Sequence, residues 1–179
     1  MEEQEIPTEE LQEKIHEEAE EKKERWILHV ALSTACIAVL AAIAGLLSGH
    51  HVNEALIEQI KSSDQWNFYQ SKSIKAEIAG STLKILEALP GKAPADEEKQ
   101  ATARYEKEKE AIKKIAEEDQ EKAEKHLNTH VTLSKAVTIF QIAIAISAIA
   151  ILTRRKKLWY GSIVLAMAGI VFLIMGIIL

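Results

Sequence analysis

Three long, uncharged apolar stretches interrupt an otherwise polar and charge-rich chain: Trp26–Gly49, Ala136–Leu152 and Leu158–Leu179. A helix that crosses the hydrocarbon core of a bilayer needs about 20 apolar residues, with roughly 17–25 tolerated. A buried helix of a soluble protein keeps a polar stripe, and these stretches keep almost none. The pattern predicts three transmembrane helices. The first stretch follows 25 mostly acidic residues, whereas a secretory signal has a short basic leader and about 7–15 apolar residues. Cys36 therefore reads as packing inside the first span.

Between spans one and two the pattern changes to long, polar and helical. Residues 52–89 contain no proline and one glycine, Gly80, and predict a single helix of roughly 55 Å. Residues 89–94, Leu-Pro-Gly-Lys-Ala-Pro, form the strong break in this segment and predict a turn. Residues 95–129 predict a second long helix, supported by the i,i+4 pairs Glu110/Lys114, Glu118/Lys122 and Glu121/Lys125. The expected apolar seam is thin: Ile60, Trp66, Tyr69, Ile74, Ile78 and Leu86 on the first arm, and Tyr105, Ile112, Ile115 and Ala123 on the second.

The fold class that follows is all-α: an integral membrane protein with three transmembrane helices and a long antiparallel helical hairpin between spans one and two. Its divisions are an acidic helical arm (1–25), span one (26–49), the hairpin (50–130), span two (131–152), a basic loop (153–157) and span three (158–179). No strand pattern is present.

Charge sets the sidedness. The loop Thr153-Arg154-Arg155-Lys156-Lys157 carries four cations, and short cationic loops stay in the cytoplasm. The N-terminus is then cytoplasmic, and the hairpin and C-terminus lie outside. Trp26, Trp159 and Tyr160 fall at the same expected interface, as aromatic anchors do. Residues 1–26 hold 11 Glu against 4 Lys/Arg, while no acid follows Glu124. The acidic balance and the lack of a basic patch with interleaved aromatics argue against a nucleic-acid partner. One cysteine excludes a disulfide framework.

Candidate residues fall into three groups. Small and polar residues repeat along the spans at i, i+4, i+7: Ala41 and Gly45 in span one, Ser134, Thr138 and Gln141 in span two, Ser162, Ala166 and Gly169 in span three. Such stripes allow close backbone approach and hydrogen bonds between helices in lipid. They read as intramembrane packing, with Gln141 joining subunits or lining a pore as the sharper alternative. His126 and His130, four apart on a helix, could face Glu54 across the hairpin as a metal site. Asp64, Trp66, Tyr69, Lys72 and Lys75 make a mixed aromatic and charged block that reads as hairpin packing or as an interaction surface.

No phosphate loop, nucleophile elbow or Cys/His pair with a credible pocket is present, so no enzymatic activity, cofactor or small-molecule substrate is expected. The spans hold no acid, which argues against a self-sufficient ion-coupled pump.

The stretch Ser63-Asp64-Gln65-Trp66-Asn67-Phe68-Tyr69-Gln70-Ser71-Lys72-Ser73-Ile74-Lys75, with Asn53-Glu54-Ala55-Leu56 before it and Thr153–Tyr160 near the end, resembles the bacterial family described as domain of unknown function 4337. The resemblance implies a three-span bacterial membrane protein and carries over no activity. The expected location is the bacterial inner membrane. The expected partners are the lipid bilayer and further copies of the chain or another membrane protein. The leading functional expectation is a scaffold or accessory subunit acting through the hairpin; the alternatives are a small oligomeric channel and an envelope sensor of metal or pH.

Overall fold

The computed structural model describes residues 8–89 and 96–179, with side chains from Arg25 to Leu89 and from Lys99 onward. Among the described residues the chain is all-helical: α1 (Thr8–Ala88), α2 (Asp96–Thr153) and α3 (Lys156–Ile178). All three are long and apolar enough to cross a membrane. The boundaries expected at residues 26 and 50 leave no break in α1. No proline occurs between Pro7 and Pro90, so nothing removes a backbone donor along that length. Residues 90–94 of the expected turn lie outside the described residues. The chain forms two compact units.

The first unit comprises the described chain from Thr8 to Leu47 together with Thr132–Ile178. Its core joins Ile37 and Ala44 of α1, Leu133, Ala136, Phe140 and Ala143 of α2, and Ala166 and Leu173 of α3. The face that α3 buries is Ser162, Ala166, Gly169, Leu173 and Gly176. At two of these positions any side chain would force its neighbour to move. A Cβ on Gly169 would lie 2.7 Å from the Phe140 ring, and one on Gly176 would lie 2.6 Å from a Leu133 methyl. Large side chains of α2 thus rest on the bare backbone of α3. Polar groups are joined as well: Ser147 donates to Ser162 at 2.8 Å, Ser162 donates to the Trp159 carbonyl at 2.7 Å, and the Trp159 indole donates to Ser33 at 3.1 Å.

The connection between α2 and α3 is shorter than the expected 153–157 loop. Arg154 takes a left-handed conformation with φ of 53°. Its amide bonds the Ile151 carbonyl, and the Arg155 amide bonds the Ala150 carbonyl, both at 3.2 Å. This is the Schellman closure of a helix end, here with arginine where glycine is usual.

The second unit holds Ser48–Val131. Contacts between its arms pair rising numbers with falling ones: Ser48 with His130, Ser62 with Ala116, Lys72 with Glu108. The arms therefore run antiparallel. Small residues make up most of the buried seam: Ser48, Ala55, Ser62 and Ala76 on α1, with Ala116 and Ala123 on α2, at seven-residue intervals or their multiples. The Ser62 hydroxyl donates to the backbone carbonyl of Ala116 at 3.0 Å, which brings the two backbones close.

This corrects the expected seam. Ile60, Ile74, Ile78 and Ile115 are exposed, whereas Ala123 is buried and Trp66, Tyr69, Leu86, Tyr105 and Ile112 are half-buried. Bulky side chains do not fit where two helices approach this closely, so small ones take the interior and most of the isoleucines turn outward.

Two outcomes follow for the first unit. Gly169→Ala should destabilise it by about 1–3 kcal/mol, the usual cost of overpacking, and Phe140→Leu in the same chain should recover part of that loss. Unfolding by denaturing detergent in micelles measures both. Arg154→Gly should raise stability by about 1 kcal/mol, because glycine adopts positive φ without a Cβ penalty.

Candidate functional site: a histidine layer and an aromatic block

Histidines of both arms meet at one level of the hairpin. His51 and His126 face each other, Nδ1 to Nδ1 at 3.0 Å, with ring centroids 5.3 Å apart. His50 sits edge-on to His51 at 5.5 Å. His130 Nδ1 lies 2.9 Å from both the Ser48 hydroxyl and the Ser48 carbonyl. In the His51–His126 hydrogen bond one nitrogen donates and the other accepts, so the contact holds at most one of these two protons.

The expected grouping of His126, His130 and Glu54 is not formed. His126 turns to His51 and His130 to Ser48. Among the described residues no set of three or more His, Cys, Asp or Glu side chains is placed to hold a metal ion. The antiparallel register explains the difference. Each histidine of α2 meets the α1 residue at its own level, and Glu54 lies one turn beyond His51. Glu54 still acts on His51 through its charge.

Burial lowers the affinity of His51 for a proton, and the neighbouring His126, His50 and His130 lower it further; Glu54 opposes them. A histidine whose folded pKa is depressed stabilises the fold in its neutral form. That contribution is complete above the ordinary histidine pKa, near 6.5, and is lost as the pH falls below it toward the folded value.

The aromatic block divides between two faces. Trp66 and Tyr69 are half-buried and meet in a T-shaped contact at 5.5 Å. Lys72 is half-buried and reaches across to Glu108 at 2.5 Å, with the Tyr105 ring 5.5 Å and the Phe68 ring 5.7 Å from its Nζ. Arg104 also pairs with Glu108, at 3.6 Å, and lies 5.2 Å from the Tyr105 ring. The Lys72 hydrogen bond holds the Glu108 carboxyl below the usual carboxylate range. Asp64 and Lys75 are exposed. The five residues read together in the sequence differ in exposure: Lys72 ties α1 to α2 through Glu108, Trp66 and Tyr69 are half-buried against each other, and Asp64 and Lys75 are exposed.

Glu58 and Asp119 escaped the sequence reading. Both are nearly buried on the seam, Glu58 paired with Lys61 at 2.7 Å and Asp119 with Lys122 at 3.1 Å. The available signal was their seven-residue register with the histidines, Glu58 after His51 and Asp119 before His126, each followed by lysine three residues on.

In the first unit, Gly169 is buried and Ala41 packs at the edge of the core. Ser134 is half-buried, while Thr138 and Gln141 are exposed; a Cβ on Gly45 would meet nothing within 4 Å. The close approach expected at Gly45 is made at Gly169 and Gly176 instead. The stripe carrying Gln141 faces away from the chain's own core.

These features define a class: an all-helical protein with three helices fit to cross a membrane. The chain belongs to the family described as domain of unknown function (DUF4337), whose model matches residues 26–179. No curated protein and no solved structure matches it significantly.

Acidification should therefore destabilise the second unit. Between pH 7 and 5 the melting temperature should fall, with a steeper slope in the native chain than in His51→Gln. At pH 7 that variant should lose about 0.5–1.5 kcal/mol, one hydrogen bond. Circular dichroism melts across the pH series read both effects.

Proposed function

We propose that this protein is a non-enzymatic scaffold or accessory subunit of the bacterial inner membrane, anchored by its three apolar helices and associating with further copies through the hairpin. The reading places Arg154–Lys157 and the N-terminus in the cytoplasm and the hairpin outside, by the rule that short cationic loops remain inside. One observation carries the association: a row of isoleucines lies exposed along the polar hairpin. Ile60, Ile74 and Ile78 are 54%, 58% and 61% exposed, and Ile57 and Ile85 continue the row. Ile57, Ile78 and Ile85 stand at multiples of seven residues, as do Ile60 and Ile74, the spacing of a helix-pairing stripe. Exposed apolar side chains aligned on one helix face mark a surface that another helix can cover. Asp64, Asn67 and Ser71 interrupt the stripe near its centre, and polar residues in such positions fix register and partner.

The test is the mass of the protein in nanodiscs, native against Ile74→Lys with Ile78→Lys. A defined oligomer that the double variant reduces to monomer supports the reading. A native monomer overturns self-association and leaves the accessory-subunit form.

The small-channel reading has its own support in the outward placement of Thr138 and Gln141. An amide in the middle of an apolar helix requires a hydrogen-bonding partner in lipid, from another copy or from pore water. Gln141→Leu should weaken assembly by roughly 0.6–2 kcal/mol per contact if the partner is another copy. If it lines a pore, the substitution should change bilayer conductance and leave the mass unaltered.

A further inference from the structure

A groove of about 480 Å³ opens on the first unit between α1 and α3. Leu32, Cys36, Ile37 and Leu40 wall it on one side, and Ile163, Met167 and Ile170 on the other. Polar groups collect at one end, where His29, Ser33 and Trp159 also line it. Trp159 donates to Ser33, and His29 donates its Nδ1 proton to the Arg25 carbonyl, leaving Nε2 for another partner. Cations lie just beyond this end. Lys156 precedes Trp159 by one turn, about 4.5 Å along the axis, and its ammonium is 6.0 Å from the Trp26 ring of α1. Arg154, Arg155 and Lys157 adjoin it, and all four side chains are exposed. Among the side chains described, from Arg25 to Leu89 and from Lys99 onward, no carboxylate forms an ion pair with any of the four.

We propose that this groove is a binding site for one anionic phospholipid, with an acyl chain along the apolar walls and the phosphate headgroup among Arg154–Lys157 and His29. The site rests on the membrane reading above. Its chemistry is that of a phospholipid turned inward at the cationic side: a long dry slot, then indole and hydroxyl groups at ester depth, then a cluster of cations at phosphate depth. Cationic pockets between helices at the cytoplasmic face select anionic headgroups in this way. A zwitterionic lipid fills the same slot but leaves the cations uncompensated. The competing counter-charge is the chain's own acidic arm, 11 Glu within residues 1–26.

The test uses the full chain with Trp26→Phe and Trp66→Phe, so that Trp159 alone reports. It is reconstituted in phosphatidylcholine bilayers containing a minor fraction of brominated phosphatidylglycerol or, separately, brominated phosphatidylcholine. The expected result is preferential quenching by the glycerol lipid, equivalent to about five-fold enrichment, the gain from one well-placed cation near a surface. The preference should vanish when Arg154, Arg155, Lys156 and Lys157 are all changed to Gln. Equal quenching by both lipids overturns the site while leaving the membrane reading intact, and is the outcome if the acidic arm neutralises the cations. Absence of quenching by either lipid overturns the membrane reading itself. If the tryptophan variant does not fold, native mass spectrometry of the unaltered chain counts retained phosphatidylglycerol against phosphatidylcholine. Oxidative crosslinking of Cys36 between copies, undiminished by added phosphatidylglycerol, assigns the groove to a second subunit and overturns the proposal.

Discussion

Phe140 rests on bare backbone because Gly169 has no side chain, and Leu133 does the same at Gly176. Much of the first unit follows from those two contacts. In lipid, helices gain little by hiding apolar surface from one another, since the acyl chains are equally apolar. What holds them is contact density, which requires the knobs of one helix to meet hollows in the next. Helix α2 supplies the knobs and α3 the hollows. The Ser147–Ser162–Trp159–Ser33 chain of hydrogen bonds then joins all three helices and pairs those polar groups within an apolar unit. The second unit meets the same constraint with alanine and serine, and there too the close approach of two backbones decides which side chains can lie inside.

How much of this was legible depends on whether composition or complementarity decides the outcome. Three apolar helices follow from composition alone: Leu158–Leu179 holds 22 residues without a charge, long and apolar enough to cross a membrane. The small-residue periodicity of α3 was visible, and that face is the buried one. On α2 the same periodicity misleads. The hollows at Gly169 and Gly176 are filled by Phe140 and Leu133, so α2 presents the face that carries Leu133, Ala136, Phe140 and Ala143 and turns Thr138 and Gln141 away. The hairpin repeats the lesson. A search for large apolar residues finds the isoleucines, which lie outside, and passes over Ala55, Ser62, Ala76 and Ala116, which lie inside. The arginine at a left-handed helix end was hidden for a different reason: Arg154 looks like topology-setting charge, and its conformation comes from two backbone hydrogen bonds that no side-chain pattern encodes.

The inverted hairpin, small inside and bulky outside, has an energetic consequence. A seam of alanine and serine removes little apolar area from water, and each square ångström contributes only about 25 cal/mol. The arms are instead held by specific polar links at separated levels: His51–His126, Ser62–Ala116 and Lys72–Glu108. Such links fix register well and add modest stability, about 0.5–1.5 kcal/mol for a neutral hydrogen bond. The isoleucines on the outer face represent the larger unspent hydrophobic contribution of this segment. Covering them would remove further apolar area from water, which is the physical argument behind the association proposed above.

The histidine layer belongs to the same economy of polar links. A pair of histidines four apart on α2 invites a reading in terms of metal ligands, because that spacing aligns them on one face of a single helix. Antiparallel pairing changes the relevant neighbour from the residue four along to the residue across. Once His126 meets His51, and His130 meets Ser48, each nitrogen in these contacts is committed to a hydrogen bond whose direction depends on protonation. The neutral pair satisfies one donor and one acceptor. Protonating both rings leaves two N–H donors and two cations facing each other across the 3.0 Å contact. Glu54 softens this repulsion but does not replace the lost hydrogen bond. The link at this level is therefore conditional on pH, whereas the Ser62 hydroxyl bond to Ala116 is not, because neither partner titrates in the accessible range.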